Sequence, residues 1–139
     1  MTDPGVALAE AARSLIGSRY RLHGRNSFTG LDCVGLVVAA LRLVGEQPVS
    51  PSGYSLRNLD ISQWLPLASQ SGLSAVSGII KPGTILLLRL AHCQHHLVIA
   101  ADRTNAIHAH AGLRRVVLQP IDPTWTVRAQ WQRAVSIEG

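Results

Sequence analysis

Leu31-Asp32-Cys33-Val34-Gly35-Leu36-Val37-Val38-Ala39-Ala40-Leu41-Arg42-Leu43-Val44-Gly45 is the stretch whose reading decides the fold. Asp32 is a residue type that caps helix N-termini, and Gly45 is one that stops helices. Between them the chain is apolar nearly all round, so the helix is read as buried rather than as a surface helix. It is too short to cross a bilayer, which takes about 20 apolar residues. Cys33 falls one residue after the cap. Free N–H groups and about half a positive charge gather at such a terminus. Both favour a thiolate, and the N–H groups can also hold an oxyanion. Asp32 opposes the thiolate and is read as the cap. The bland alternative, a small buried hydrophobe, suits most free cysteines.

Working outward from this helix, Asp3 and Pro4 predict an earlier one as N-cap and first residue, ended by Gly17. Ser18 to Leu31 reads as loop, as does Gln47 to Asn58. Ile61 to Ala68 reads as a short helix interrupted by Pro66. Lys81-Pro82-Gly83 is a turn, followed by strand-like runs Ile85–Leu90, His96–Ala101, Ala106–Ala109, Val116–Leu118 and Gln130–Ile137. Helices followed by strands on short turns predict an α+β fold with an antiparallel sheet.

Composition bounds the function. The chain has 139 residues, 47% of them hydrophobic and 15% charged, which is a collapsing one-domain chain. The net charge is +5, carried by twelve Arg and one Lys scattered along the sequence. No basic run or aromatic ladder marks a nucleic-acid binder. The charge suits a polyanionic setting, such as cell wall, without choosing among such settings. Two cysteines are too few for a disulfide scaffold, although a Cys33–Cys93 bridge stays open. Met1 to Gly17 carries Asp3, Glu10 and Arg13 and does not read as a signal peptide. The expectation is a chain made in the cytoplasm, delivered by something else if it acts on a wall.

A thiol nucleophile needs a base, usually His, and the base needs an orienting partner. His92, His95, His96, His108 and His110 are concentrated in one region, with His23 apart. Asp102 to Asn105 reads as the turn of a hairpin. If Ala101 faces Asn105, His96 faces His110, and His108 is the diagonal neighbour on the same sheet face. His95 points to the other face.

Leu31 to Val37 resembles the Asp-Cys-Ser-Gly-Leu-Val nucleophile motif of the NlpC-type cell-wall endopeptidases, which are papain-like cysteine peptidases. His96-Leu97-Val98-Ile99-Ala100 is similar to their His-Val-Gly-Ile-Tyr motif. Ala106-Ile107-His108-Ala109 resembles their third motif, and Gly17 to Gly24 their Gly-x-x-Tyr segment. The resemblance spans roughly Val6 to Ala109. It implies one papain-like domain over residues 1–139, with the nucleophile on a buried helix packed against the sheet. It also implies Cys33 as nucleophile, His96 as general base and acid, and His108 as orienter. Tyr20 then lines the oxyanion site, with Asp32 beside it on the substrate-binding side. No cofactor or metal is implied. The implied partner is the stem peptide of peptidoglycan, cut next to a D-amino acid. Chains of this kind without a signal resemble phage-tail wall peptidases, which implies phage-like delivery proteins as partners. Val34, Thr84, Val98 and Ala100 depart from the family's Ser, Asp, Gly and Tyr. None of these removes a catalytic atom.

Three other readings remain. His92, Cys93, His95, His96, His108 and His110 offer zinc ligands, although in no fixed zinc spacing. A same-fold acyltransferase or amidase would carry the same motifs. An idle wall-binding module would have no use for the Cys33, His96 and His108 set.

Overall fold

The computed structural model describes residues 3–49, 68–89 and 95–134. Helix α1 spans Pro4–Ser14, and the Asp3 carboxylate accepts from Gly5 N at 2.8 Å and Val6 N at 3.2 Å. A turn carries the chain on to Gly17 at φ 92°, so the helix itself stops one turn before the predicted glycine. The segment read as loop contains a small hairpin, β1 (Arg25–Asn26) and β2 (Gly30–Leu31). Strands of two residues carry no periodicity for a sequence reading to detect. Helix α2 spans Cys33–Leu43, and Asp32 caps it as expected. Cys33 to Val38, Ala40 and Leu41 are all buried, as the all-round apolar sequence required.

The strands are β3 (Leu73–Val76), β4 (Ile85–Arg89), β5 (His95–Ala100), β6 (Asn105–His110), β7 (Arg115–Pro120) and β8 (Thr126–Arg133). They form one antiparallel sheet in the order β3-β8-β4-β5-β6-β7. β3 is absent from the sequence reading. β8 runs earlier than the expected Gln130–Ile137, because its pairing with β4 reaches back to Thr126 across a bulge. The expected helix at Ile61–Ala68 lies almost wholly outside the described residues, as do most of the Gln47–Asn58 loop and the end of the first strand run.

Both faces of the sheet centre are covered. Ile85, Leu87, Leu97, Ile99, Ile107 and Ala109 pack with α1 and α2, and Leu86, Leu88, Val98 and Ala106 pack with Ile80, Ile121 and Trp125. This explains why Ile85 to Leu88 is continuously apolar rather than alternating. Val98, where the resembled family has Gly, fills this second layer. Thr84, in place of its Asp, keeps an acceptor at the turn: its Oγ1 receives Lys81 N at 3.1 Å.

The helix and the preceding loop meet with no side chain between them. A Cβ added to Gly35 would collide with the Gly24 carbonyl oxygen. Gly35→Ala is therefore expected to lower stability by about 1–3 kcal/mol, the usual cost of overpacking a core. Urea unfolding checks this; an unchanged midpoint would contradict the close approach.

Candidate active site

β5 and β6 form ladder pairs only at Ile99↔Ile107 and Ala100↔Ala106, with Ala101 N donating to Asn105 O at 2.9 Å. This is the register in which His96 would face His110 and His108 lies diagonal to it. Nearer the His96 end the two strands are no longer paired. Helix α2 packs against both of them, and the Leu97 N–H donates to the Cys33 thiol. The thiol thus sits one residue along β5 from His96.

The three imidazoles of this sheet face are not equivalent. His96 Nε2 lies 3.0 Å from His108 Nδ1, and His108 Nε2 lies 2.8 Å from Gln119 Oε1. An amide oxygen only accepts, so His108 must carry its proton on Nε2. His108 Nδ1 is then an acceptor, and neutral His96 must carry its proton on Nε2. The chain Gln119, His108, His96 therefore leaves His96 Nδ1 as the bare, basic nitrogen. His110 stands 5.5 Å from His108 between ring centroids, and its Nδ1 accepts Leu113 N at 3.0 Å. It anchors the β6–β7 turn and is not part of the relay.

The electrostatics correct one expectation. A thiolate was expected at the helix N-terminus. Instead Cys33 is a free, fully buried thiol whose pKa is pushed up to about 12. Burial dominates, and nearby Asp32 adds to it. The Leu97 and Val34 N–H groups and Arg25 pull the other way without offsetting it. His96 is held down to about 3 by burial first, then by His108 and His110. His108 is lowered by burial and His110, against the raising effect of the hydrogen bond it donates to Gln119 Oε1. At neutral pH the pair is a neutral thiol and a neutral imidazole.

Asp32 is fully buried and its oxygens are taken: Gly35 N at 2.7 Å, His23 N at 2.8 Å and Arg25 Nη1 at 3.0 Å. It holds the helix end in place rather than facing a ligand. Tyr20 is placed differently. It lines a cavity of about 320 Å³ together with His95, His96, His108, His110, Gln119 and Trp125. Its hydroxyl is buried and has no hydrogen-bond partner among the described residues. An orphaned buried donor costs about 1–3 kcal/mol, and such a cost is often tolerated where the donor has work to do. Burial, then Cys33 and Asp32, raise its pKa to about 12, so it remains a hydrogen donor. Among the described residues no group of three His, Cys, Asp or Glu is placed to hold a metal ion; His92 and Cys93 lie outside them.

Gln119 and Trp125 were not found in the sequence. Gln119 was within reach of it: in the β6–β7 hairpin His108 faces Val117, which makes Gln119 its diagonal neighbour. Trp125 packs edge-on to His108 at 6.0 Å from a loop with no local signal.

No protein-family model and no curated protein sequence matches the chain. Solved structures do. NlpC2 from Trichomonas vaginalis superposes at TM-score 0.66 with 15% identity, over 95% of this chain and 49% of that one. An NlpC/p60 family protein from Bacillus cereus gives 0.66 and 20%, over 96% and 41%. The NlpC/p60 domain of the peptidoglycan hydrolase SagA gives 0.59 and 21%, over 94% and 98%. The chain has the papain-like α+β fold of NlpC/p60 domains. It spans about half the length of the Trichomonas protein and matches the isolated SagA domain nearly end to end.

Two measurements check the site. In ¹⁵N spectra of labelled histidine, His96 should show a protonated Nε2 and a bare Nδ1, and should not titrate between pH 8 and 5. An unfolded His takes up its proton near pH 6.5. Acidification from there toward pH 3 therefore favours the unfolded chain, because folded His96 refuses that proton. A His96 that titrates near 6.5 would contradict its burial. Separately, iodoacetamide at pH 7 should alkylate Cys33 more slowly than a free cysteine thiol of pKa near 8.5. Fast labelling would restore the thiolate expectation.

Proposed function

We propose that this protein is a cysteine peptidase that hydrolyses stem peptides of bacterial peptidoglycan, at a bond next to a D-amino acid. The observation that carries the proposal is the Gln119, His108, His96 relay. It leaves a bare imidazole nitrogen on His96, whose neighbour in β5, Leu97, gives its N–H to the thiol at the helix N-terminus. The substrate class rests on the motif resemblance and on the shared fold, one of whose holders is named a peptidoglycan hydrolase.

The chemistry follows from the neutral pair. His96 Nδ1 accepts the Cys33 proton as sulfur bonds to the scissile carbonyl carbon. With a thiol pKa pushed up and a base pKa pushed down, the proton does not move ahead of attack. The transfer is driven as the C–S bond forms. The carbonyl oxygen becomes an oxyanion, for which the Tyr20 hydroxyl is a waiting donor and the helix N-terminus a favourable field. His96 then gives its proton to the leaving amine as the C–N bond breaks, leaving an acyl group on Cys33. Water, deprotonated by His96, releases the acid and regenerates the thiol. His108, held by Gln119, keeps the His96 tautomer and aim throughout. Transfer of the acyl group to another amine would use the same steps, and the product distinguishes the two outcomes.

Incubation with purified muropeptides, followed by mass analysis, tests the assignment. Cys33→Ala should abolish cleavage. His96→Ala should cost ~10²–10⁴ in rate, the usual worth of general acid–base catalysis. His108→Ala should cost less, since the base remains and only its aim degrades. His95→Ala and His110→Ala should be mild, and Cys93→Ser should stay near normal under reducing conditions. Absence of any cleaved product from the unaltered protein would overturn the peptidase reading. A larger loss at His95 or His110 than at His96 would reassign the base.

A further inference from the structure

Two arginines that the chemistry above does not use stand next to residues of the cavity wall, Arg115 opposite His110 and Arg19 before Tyr20 in the chain. Arg115 stands opposite His110 in the β6–β7 ladder. It therefore lies on the sheet face that carries His108 and Gln119. Arg19 stands opposite Arg115 in an isolated antiparallel bridge. Cβ atoms of facing residues are ~4.5–5.5 Å apart, and like charges so placed destabilise the pairing. The backbone holds them there nonetheless: Gly17 N donates to Val116 O at 2.9 Å, Val116 N to Ser18 O at 2.8 Å, and Tyr20 N to Arg114 O at 3.0 Å. Both arginines are exposed. Among the described residues neither forms an ion pair, the recorded pairs being Arg13–Asp102, Arg25–Asp32 and Arg133–Glu46. The acid on the cavity wall is Asp122. It lies two residues past the far end of β7, and its carboxylate accepts Thr124 N at 2.8 Å and Thr124 Oγ1 at 2.7 Å. Uncompensated cations thus stand beside His110 and Tyr20 of the cavity wall, and the carboxylate of Asp122 lies on that wall past the far end of β7.

We propose that Arg115 and Arg19 form an anion subsite that holds a carboxylate of the bound peptide. The proposal rests on the stem-peptide reading above and deepens it by naming a group the substrate must carry. A guanidinium fork matches the geometry of a carboxylate, and two of them converging on one anion relieve the repulsion that the empty pair suffers. The spacing is that of a peptide ligand. Arg115 lies two residues along β7 from Val117, the residue facing His108, or ~7 Å at strand rise. An extended peptide covers that distance in about two residues. The recognised carboxylate is therefore about two residues from the bond cut beside His96. Tyr20, next to Arg19 in the chain, lines the same cavity.

The test uses the full chain with Cys33→Ala, so that binding is read without turnover. It is titrated in low salt with a purified stem peptide bearing free carboxylates, and with the same peptide amidated. The subsite predicts that amidation weakens binding about tenfold. Arg115→Gln and Arg19→Gln should each weaken the free-acid peptide several-fold and leave the amidated peptide unchanged. Equal binding of the two peptides, equal weakening of both by the substitutions, or binding of neither peptide overturns the proposal. So does a glycerol-phosphate oligomer that competes for the Arg pair more tightly than the free-acid peptide, since that would assign the pair to a phosphate polymer. Turnover by the unaltered protein separates the two readings. Arg-dependent binding without hydrolysis leaves the subsite and removes the peptidase. Hydrolysis that ignores amidation and both arginines leaves the peptidase and removes the subsite.

Discussion

The buried Asp32 carboxylate is the contact on which the rest of the site depends. It accepts the Gly35 N–H inside the first turn of α2, the His23 N–H from the preceding loop, and the Arg25 guanidinium from β1. Three pieces of chain that a sequence reading keeps apart are thereby fixed to one fully buried group. The helix end carries Cys33, and the loop carries Tyr20. Their mutual position is set by Asp32 rather than by either element alone. Breaking such a buried pair by removing one partner typically costs about 3–5 kcal/mol, because the remaining charge is left without compensation. The same carboxylate works against thiolate formation at Cys33, since it raises the thiol pKa. The site accepts that cost to hold its geometry.

The other constraint is the short β5–β6 ladder. Were the two strands paired to their ends, the Leu97 N–H would be used in the sheet. Ending the ladder at Ile99 leaves it for the thiol. Burial keeps the Cys33 thiol and the His96 imidazole neutral. The relay from Gln119 decides which His96 nitrogen is basic, which burial alone cannot do.

Much of this was legible in the sequence. The apolar run from Cys33 to Val44, framed by Asp32 and Gly45, gave the buried helix because burial on all sides leaves no polar stripe. The Asp102 to Asn105 turn gave the register that puts His96, His108 and His110 on one sheet face, because a two-residue side-chain period leaves few alternatives; the choice of His108 came from the family resemblance. What was not legible has physical reasons. The β1–β2 hairpin and the Arg19↔Arg115 bridge are two residues or fewer per strand, too short for any pattern. Trp125 reaches His108 from a loop. The thiol pKa follows from how much protein surrounds Cys33, whereas the sequence shows only the helix terminus that would lower it.

Intact-mass spectrometry of the protein, acid-quenched during turnover of a purified stem peptide, tests the central claim most directly. The account predicts a transient adduct equal in mass to the acyl portion of the peptide, mapped by digestion to Cys33 and absent in Cys33→Ala. Product formation with no adduct at Cys33 in any quench, and undiminished in Cys33→Ala, would contradict it.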